Sequence, residues 1–203
     1  GNLDGAYMKE DDVERWDTRY RSDDTPWDQG RASEPVLRVV ERHLKAGARI
    51  LVPGCGRGWE VEALGRLGFE VTGLDLSVTA AAIGNSRLKN LDNATIQVGN
   101  FFALPKAHLG YFDAVVEHTC FCAIEPSDRK RYRDAAFSAL APGGLLLGVF
   151  LHFEGGGPPH GTNPDDLNKV FGKKFIMIEM TAEKESFFAT FVCTIRGPPC
   201  STS

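Results

Sequence analysis

The sequence has no long apolar run and no block of like charges, and each absence excludes a class of protein. No apolar stretch approaches the ~20 residues that a membrane-spanning helix needs, and residues 1–9 lack the apolar centre of a signal peptide. Lysine and arginine number 23 against 27 acidic residues, for a net charge of −4. Because nucleic acids bind to basic surfaces, we expect neither a nucleic acid nor a membrane as partner.

Cysteine is also scarce, which bears on redox state and on metals. The five cysteines, at positions 55, 120, 122, 193 and 200, are odd in number, and several lie in apolar runs. This favours reduced, buried thiols in a cytoplasmic protein over a disulfide framework. The segment 118–122 reads His-Thr-Cys-Phe-Cys, but no second cluster of ligands is spaced to complete a zinc site. We therefore expect no metal.

What is present is an alternation of strand and helix patterns over 203 residues, a length that suits one domain. The predicted strands are 49–53, 69–74, 94–98, 112–117 and 145–151, followed by a hairpin of 174–180 and 187–195. The predicted helices are 11–20, one that begins after Ser33, 59–67, 77–88 with Ser77 at its N-cap, 127–140 and 164–171. Such alternation is typical of a parallel sheet with helices on both faces.

A glycine-rich turn follows the first predicted strand. Glycines stand at positions 54, 56 and 58, and the second apolar run ends in Asp75. In a doubly wound domain this pairing holds an adenosine, because glycines let backbone approach the ligand and the acid accepts hydrogen bonds from ribose. A dinucleotide fingerprint, G-x-G-x-x-G, would need glycine at Trp59 or Val61. The spacing G-x-G-x-G instead favours S-adenosylmethionine (SAM) as the cofactor.

The other candidate site segments also follow predicted strands. Residues 99–102 and 117–122 join the glycine turn and Asp75 at strand ends, where ligands of such sheets bind. We predict an α/β, doubly wound, Rossmann-like fold whose seven-stranded sheet is mostly parallel, with an antiparallel last strand.

Longer strings make the pattern specific. They are PWDQGRA at 26–32 with Trp16 and Tyr20 before it, LVPGCG at 51–56, FCAIEP at 121–126 and GGPP at 156–159. From about residue 16 to about 195, the chain resembles the thiol and halide methyltransferases of the thiopurine S-methyltransferase family. The resemblance implies a class I methyltransferase with an N-terminal helical cap. We expect a single domain over 1–203, with the cap over 1–32 and the Rossmann-like core over 33–203.

The resemblance also implies a set of cofactor-binding residues. Two tryptophans would lie near the methyl donor, and the glycine turn would lie against its amino acid part. An acid would bind its ribose, and residues 100–101 would lie beside its adenine. The predicted set is Trp16, Trp27, Gly54, Cys55, Gly56, Gly58, Asp75, Leu76, Asn100, Phe101 and Glu117. The family usually has aspartate where this chain has Asn100, and its plant members read Asp-Tyr where this chain has Glu117-His118.

Methyl transfer from a sulfonium is an in-line displacement that requires positioning and exclusion of water. His118, at a predicted strand end, is the candidate general base, although a lone histidine is often structural. Glu117 either contacts the acceptor or stabilises a neighbouring turn. Arg31 binds a carboxylate or makes a surface ion pair. Trp16, Trp27, Phe101 and Phe121 either face the sulfonium or pack in the core.

We therefore expect a SAM-dependent methyltransferase that acts on a small soft nucleophile: a thiol, sulfide, thiopurine or halide. It would work in the cytoplasm as a monomer or weak homodimer. The alternatives are methylation of an oxygen or nitrogen acceptor, SAM binding without catalysis, and a nicotinamide oxidoreductase. Trp59, in place of the third glycine, argues against the oxidoreductase.

Overall fold

The computed structural model describes residues 10–153, 156–183 and 186–193. The helices are α1 Glu10–Arg21, α2 Glu34–His43, α3 Trp59–Arg66, α4 Val78–Leu88, α5 Arg129–Ala139 and α6 Pro164–Phe171. The strands are β1 Arg49–Pro53, β2 Glu70–Asp75, β3 Ala94–Val98, β4 Phe112–His118, β5 Leu140–Leu151, β6 Phe175–Glu183 and β7 Ser186–Cys193. The expectations for residues 1–9, for residues 194–195 of the predicted hairpin and for Cys200 lie outside the described residues.

The strands form one sheet in the order β3-β2-β1-β4-β5-β7-β6. Neighbouring strands from β3 to β5 are parallel, whereas β7 pairs antiparallel with both β5 and β6. The predicted Rossmann-like fold, with a parallel central sheet and helices, is confirmed. The strand order reverses between β1 and β4, so the carboxyl ends of these two strands flank the point where such sheets bind ligands.

The sheet has a buried apolar layer on each face. Within β1, Leu51 belongs to one cluster, whereas Ile50 and Val52 belong to the other. Successive side chains of a strand point to opposite faces, so a strand that is apolar throughout fills both layers. Helices α2, α3 and α4 contribute to the layer of Ile50, and α5 and α6 contribute to the layer of Leu51.

Several predicted boundaries differ from the structure. Residues 126–128 form a 3-10 turn, so α5 begins at Arg129 rather than at 127. Strand β5 begins at Leu140, five residues early, because Leu140 already pairs with Phe112 across a register shift. Ser77 stabilises the start of α4 as predicted, with Oγ accepting from the Ala80 amide at 3.0 Å. Ser33 precedes α2 but its side chain makes no such bond. Over the residues described, no helix combines the length and apolar character that a membrane span requires.

Candidate functional site

The glycine turn follows β1, and its backbone packs closely against neighbouring side chains. Gly54 and Gly56 have φ angles of 57° and 56°, in the left-handed region. A Cβ atom at Gly54 would lie 2.8 Å from Cys120 Sγ, and one at Gly56 would lie 2.6 Å from the Tyr20 hydroxyl. A residue other than glycine would therefore be disfavoured at both positions for two reasons: the positive φ angle and the clash of its Cβ atom. The amides of Gly56 and Cys55 are bonded to Asp75 and to the Leu74 carbonyl, so the protein itself fixes the shape of the turn.

Asp75 ends β2 beside this turn and is only 9% exposed. Its Oδ2 accepts from the Gly56 amide at 2.8 Å, and Oδ1 accepts from the Ser77 amide at 2.9 Å. Burial raises the pKa of this carboxyl above its usual value, and the two amide bonds oppose the shift. An ionised carboxylate has about four acceptor positions, so roughly two remain for ligand hydroxyls. Leu76 follows directly and is half-buried.

Aromatic side chains of α1 and the following loop cover the turn. The ring centroids of Trp16 and Trp27 lie 5.4 Å apart, and those of Tyr20 and Trp27 lie 5.8 Å apart, both edge to face. Trp27 Nε1 donates to the Tyr20 hydroxyl at 3.2 Å. The Arg19 guanidinium lies 4.7 Å from the centroid of a Trp27 ring. This group, Trp16, Tyr20 and Trp27, is called the aromatic lid below.

Polar contacts attach α1 and its loop to the core. Asp17 Oδ1 accepts from Ser77 Oγ at 2.8 Å and from the Thr79 amide at 2.9 Å, at the N-terminus of α4. The Thr79 amide bond leads the contacts that lower the pKa of Asp17, so it stays ionised. A second attachment joins Asp28 to Arg57 Nη1 at 2.9 Å. These polar contacts add to the packing of Tyr20, which is 6% exposed, in holding the lid on the core.

Asn100 and Phe101 follow β3, next to the end of β2. Asn100 Oδ1 accepts from the Phe102 amide at 2.9 Å and begins a 3-10 turn. Phe101 is 5% exposed, and its ring lies 5.1 Å from that of Tyr132 in the core. The Gly99 amide donates to the Asp75 carbonyl at 2.9 Å, which brings this segment beside the ribose-binding candidate.

Glu117 stabilises the turn after β4. Its carboxylate accepts from the amides of Cys120 at 3.1 Å and Phe121 at 3.0 Å, and from the Tyr132 hydroxyl at 2.7 Å. Burial raises its pKa, although these bonds oppose the shift. The turn contains Thr119 at φ 61°, which is strained for a β-branched residue. The structure thus shows the turn-stabilising alternative for Glu117.

His118 forms a pair with a residue that the sequence analysis missed. Its Nδ1 lies 2.9 Å from Oε1 of Glu60, a buried residue in the first turn of α3. Burial alone would lower the pKa of His118, but the hydrogen bond and charge of Glu60, with Glu117 adding, raise it above its usual value. Glu60 fixes the ring, and Nε2 has no partner in the part of the chain that the structure describes.

Two cavities meet at His118. The smaller, of about 40 Å³, is lined by the glycine turn, Tyr20, Trp27 and Trp59. The larger, of about 340 Å³, extends from α2 past Phe121 to the end of β5 and to residues 160–162. Four residues line both cavities: Gln29, Arg31, His118 and Thr119. We call these four the shared wall.

The structure brings most of the predicted site residues together. Trp27, Gly54, Cys55, Gly56 and His118 line the smaller cavity, and Glu117 borders the larger one. Asp75 is bonded to Gly56, and Trp16 contacts Trp27.

Gly58 differs from the other glycines of the turn, because a Cβ there would collide with Ile96 of the core. It is therefore needed for packing. The sequence analysis also missed Arg57 and Thr119 as residues of the site. The only sequence signal for Glu60 is its place in the helical turn after the glycines.

The cysteines near the site are not poised to react. Burial raises the pKa values of Cys55 and Cys120 well above the usual thiol value, and it raises the pKa of Cys122 to about 12. Thiols with such pKa values are protonated at neutral pH and poor nucleophiles. Within residues 10–153, 156–183 and 186–193, no three or more His, Cys, Asp or Glu side chains are arranged to hold a metal ion.

Comparisons with known proteins agree with this geometry. The sequence profile of the family described as thiopurine S-methyltransferase matches residues 11–192. The chain is 32% identical over 168 residues to "Probable thiol methyltransferase 2" of Arabidopsis thaliana, which spans 80% of this chain and 74% of that one. It is 26% identical over 187 residues to thiopurine S-methyltransferase of Bos taurus, with 79% and 75% covered.

A solved structure shows the same fold at lower identity. It is the 1,6-didemethyltoxoflavin-N1-methyltransferase of Burkholderia thailandensis with bound S-adenosylhomocysteine. Its TM-score is 0.76 at 17% identity, and the match covers 96% of this chain and 99% of that one.

The Rossmann-like sheet, its glycine turn and the acid after β2 define a SAM-dependent methyltransferase. The residues fit that cofactor, since the turn has no room for side chains and Asp75 keeps acceptor positions for hydroxyl groups. The chain belongs to the thiopurine S-methyltransferase family.

Proposed function

We propose that this enzyme transfers the methyl group of SAM to a small soft nucleophile, first of all a thiol. The observation that carries the proposal is the shared wall, which separates a glycine-lined cavity from a larger, mostly apolar one and contains a histidine held by a carboxylate. The names of the relatives, thiol methyltransferase and thiopurine S-methyltransferase, support sulfur as the attacking atom.

We assign the donor to the glycine-turn side. Asp75 and Leu76 would hold the ribose, residues 54–56 the amino acid part, and Asn100 with Phe101 the adenine. Trp16 and Trp27 would cover the reacting centre, Gly58 would shape the turn, and Glu117 would fix the turn that carries His118. When bound, SAM supplies an electrophilic methyl group on a sulfonium.

The donor side has to open. A cavity of about 40 Å³ holds about one water molecule, whose share of liquid volume is about 30 Å³. The amino acid part of the cofactor, which we assign to this cavity, is larger than one water molecule, so Tyr20 and Trp27 would move outward when it binds. The attachments at Asp17 and Asp28 would be broken or would move with the lid, and the Asp28–Arg57 pair, which is largely buried, resists that movement. Closure of the aromatic lid afterwards excludes water from the site.

We assign the role of general base to His118. Its Nε2 takes the proton from the acceptor thiol, and Glu60 stabilises the imidazolium through Nδ1. Bound SAM would supply its methyl group to the sulfur and be left as the neutral thioether, and the proton would pass from His118 to solvent. The base matters only between the raised pKa of His118 and the thiol pKa near 8.5. Below that range the imidazole is protonated, and above it the thiol ionises unaided.

The proposal extends to domain organisation, oligomeric state and cellular compartment. We propose one domain, with residues 1–32 as cap and 33–203 as core, that works as a monomer or weak homodimer, because both cavities are formed within one chain. Cys55, Cys120 and Cys122 are unpaired thiols, which supports a reducing compartment such as the cytoplasm.

An acceptor screen with methyl-labelled SAM tests the function. Hydrosulfide, thiols, thiopurines, halides, phenols and amines are compared, with product identified by mass spectrometry. Label should pass to sulfur acceptors well before phenols or amines. Transfer to oxygen or nitrogen acceptors alone would overturn the sulfur assignment. Melting temperature serves as the binding control: SAM should raise it and NAD should not.

A further inference from the structure

Three buried polar atoms without partners lie at one end of the larger cavity. His160 Nε2, Thr162 Oγ1 and Arg129 Nε have no hydrogen-bond partner among the described residues. Thr162 is 4% exposed and Arg129 8% exposed. Buried polar groups in folded proteins are nearly always hydrogen-bonded, so three exceptions side by side indicate a place where a ligand completes the bonding.

The backbone holds this cluster in place. The His160 amide donates to the Cys122 carbonyl at 2.7 Å, and the Thr162 amide donates to the Leu151 carbonyl at 2.9 Å. Between them, Arg129 Nη2 donates to the Gly161 carbonyl at 3.0 Å. Residues 160–162 are thus fixed between the turn after β4 and the end of β5.

His160 and Thr162 are among the residues that line the cavity, and Arg129 is not. The Arg129 guanidinium is 4.8 Å from the ring centroid of Phe121, which lines the cavity. Glu125 Oε2 approaches His160 Nε2 only to 3.9 Å, beyond hydrogen-bond distance, and its side chain is 69% exposed. This end of the cavity therefore has unpartnered polar atoms beside the Arg129 guanidinium, whose charge interacts with that of Asp166.

The opposite end of the cavity is the shared wall, where His118 and Arg31 stand. Along β5, Val149 pairs with His118 and the Leu151 carbonyl accepts from the Thr162 amide, so Phe150 lies between these two polar groups. The lining thus includes the apolar residues Phe121, Val149 and Phe150 besides its polar ones. Of the acids on its border, Glu117 has both oxygens bonded within the protein, and Glu34 is exposed.

The cavity is too large to be filled by the smallest acceptors. Its volume of about 340 Å³ equals that of roughly ten water molecules at about 30 Å³ each. Hydrosulfide or a halide ion takes up about as much space as one water molecule. An organic molecule is needed to fill the cavity and reach both polar ends.

We propose that the acceptor is an organic thiol with a carboxylate at its far end. Its sulfur lies near His118 at the shared wall, its apolar middle against Phe121 and Phe150, and its carboxylate accepts bonds from Thr162 Oγ1 and His160 Nε2. This inference rests on the proposed methylation of thiols and adds the substrate class to it.

A matched pair of thiols tests the proposal: 4-mercaptobenzoate carries the carboxylate and thiophenol lacks it. The ratio of their kcat/KM values is measured for wild type, Thr162→Val and Thr162→Ser, at a pH where both thiols are ionised. Thr162→Val removes the hydroxyl but keeps the shape. The wild-type ratio should favour 4-mercaptobenzoate, Thr162→Val should lower the ratio about tenfold, and Thr162→Ser should restore it. Thr72→Val, in β2 and away from the cavity, is the matched control and should leave the ratio unchanged.

The failures of the two proposals differ. If thiophenol and hydrosulfide are methylated but 4-mercaptobenzoate is not preferred, or if Thr162→Val leaves the ratio as it was, the carboxylate site is wrong and thiol methylation stands. If neither aromatic thiol is methylated but hydrosulfide or another thiol is, only the carboxylate site is wrong. If no sulfur acceptor is methylated while SAM still binds by calorimetry, both proposals are wrong. A drop in the ratio for Thr162→Ser as large as for Thr162→Val would also overturn the role of the hydroxyl.

Discussion

The two sides of the site satisfy their polar groups in different ways. On the side of the glycine turn, Asp75, Asp28 and Arg57 are bonded to other parts of the protein before any ligand is considered. On the side of the larger cavity, the side-chain atoms His160 Nε2 and Thr162 Oγ1 have no hydrogen-bond partner among the described residues. Under the proposed assignment, the donor side is preorganised by its own bonds, and the acceptor side is completed by its substrate.

The difference also appears in shape. The donor side is a narrow gap under the aromatic lid, so binding there requires movement of α1 and its loop. The acceptor side is already open to about 340 Å³ between rigid strand ends. Substitutions on the donor side should therefore affect binding and closure, and those on the acceptor side should affect the choice of substrate and its proton.

The largest effect is expected at Asp75, the centre of the preorganised side. Asp75→Ala should raise the Kd for SAM at least tenfold, because charge-assisted hydrogen bonds are worth about 1.5–3 kcal/mol each. Isothermal calorimetry measures the change, and Asp92→Ala, an exposed acid away from the site, is the control. An unchanged Kd for SAM in a folded Asp75→Ala variant would show that Asp75 does not bind the cofactor, and the comparison of the two sides would lose its basis.

A smaller effect is expected at Trp27, where the lid must move. Trp27→Ala should lower kcat about tenfold without unfolding the protein, because the residue is half-buried and its loss opens the site to water. Circular dichroism checks the fold and steady-state kinetics the turnover. Hydrogen exchange of residues 16–31 should slow in wild type when SAM binds. Full activity in the variant would show that the lid does not close the site.

At His118 the expected effect depends on pH. A thiol with a pKa near 8.5 is about one-tenth ionised at pH 7.5, so a base there can contribute about tenfold at most. His118→Gln should approach this loss near pH 7.5 and regain wild-type rates above about pH 9. With iodide as acceptor, which carries no proton, the two pH–rate profiles should be parallel. Parallel profiles with thiols as well would exclude His118 as the base.

The smallest effect is expected at Glu60, which links the two sides. Glu60→Gln should lower the pKa of His118, because the hydrogen bond and charge that raise it would weaken. Histidine NMR titration measures the shift. A histidine whose folded pKa is raised stabilises the fold below its unfolded pKa near 6.5, and this contribution disappears as pH rises through the folded value. The variant should therefore lose stability in acid and not in alkali. A His118 pKa unchanged from wild type would show that Glu60 does not act on His118.

Local pattern was enough to predict much of the fold. Strands β1 and β3 and helix α6 begin and end at the predicted residues. Their apolar runs and flanking turn residues are local signals that no tertiary contact overrides. The beginnings of α5 and β5 were wrong, because the first depends on a 3-10 turn and the second on pairing with Phe112, 28 positions earlier.

The sequence alone determined the sheet, the glycine turn, the acid after β2 and the family, since each is written in short strings of neighbouring residues. Only the tertiary structure determined which groups face one another. Glu60 and His118 are 58 positions apart, and Arg129 and Gly161 are 32 apart. No periodicity encodes such pairs, because they arise when different strand ends converge at one edge of the sheet. The same convergence leaves Thr162 Oγ1 and His160 Nε2 without hydrogen-bond partners among the described residues, beside the cavity where we propose that the acceptor binds.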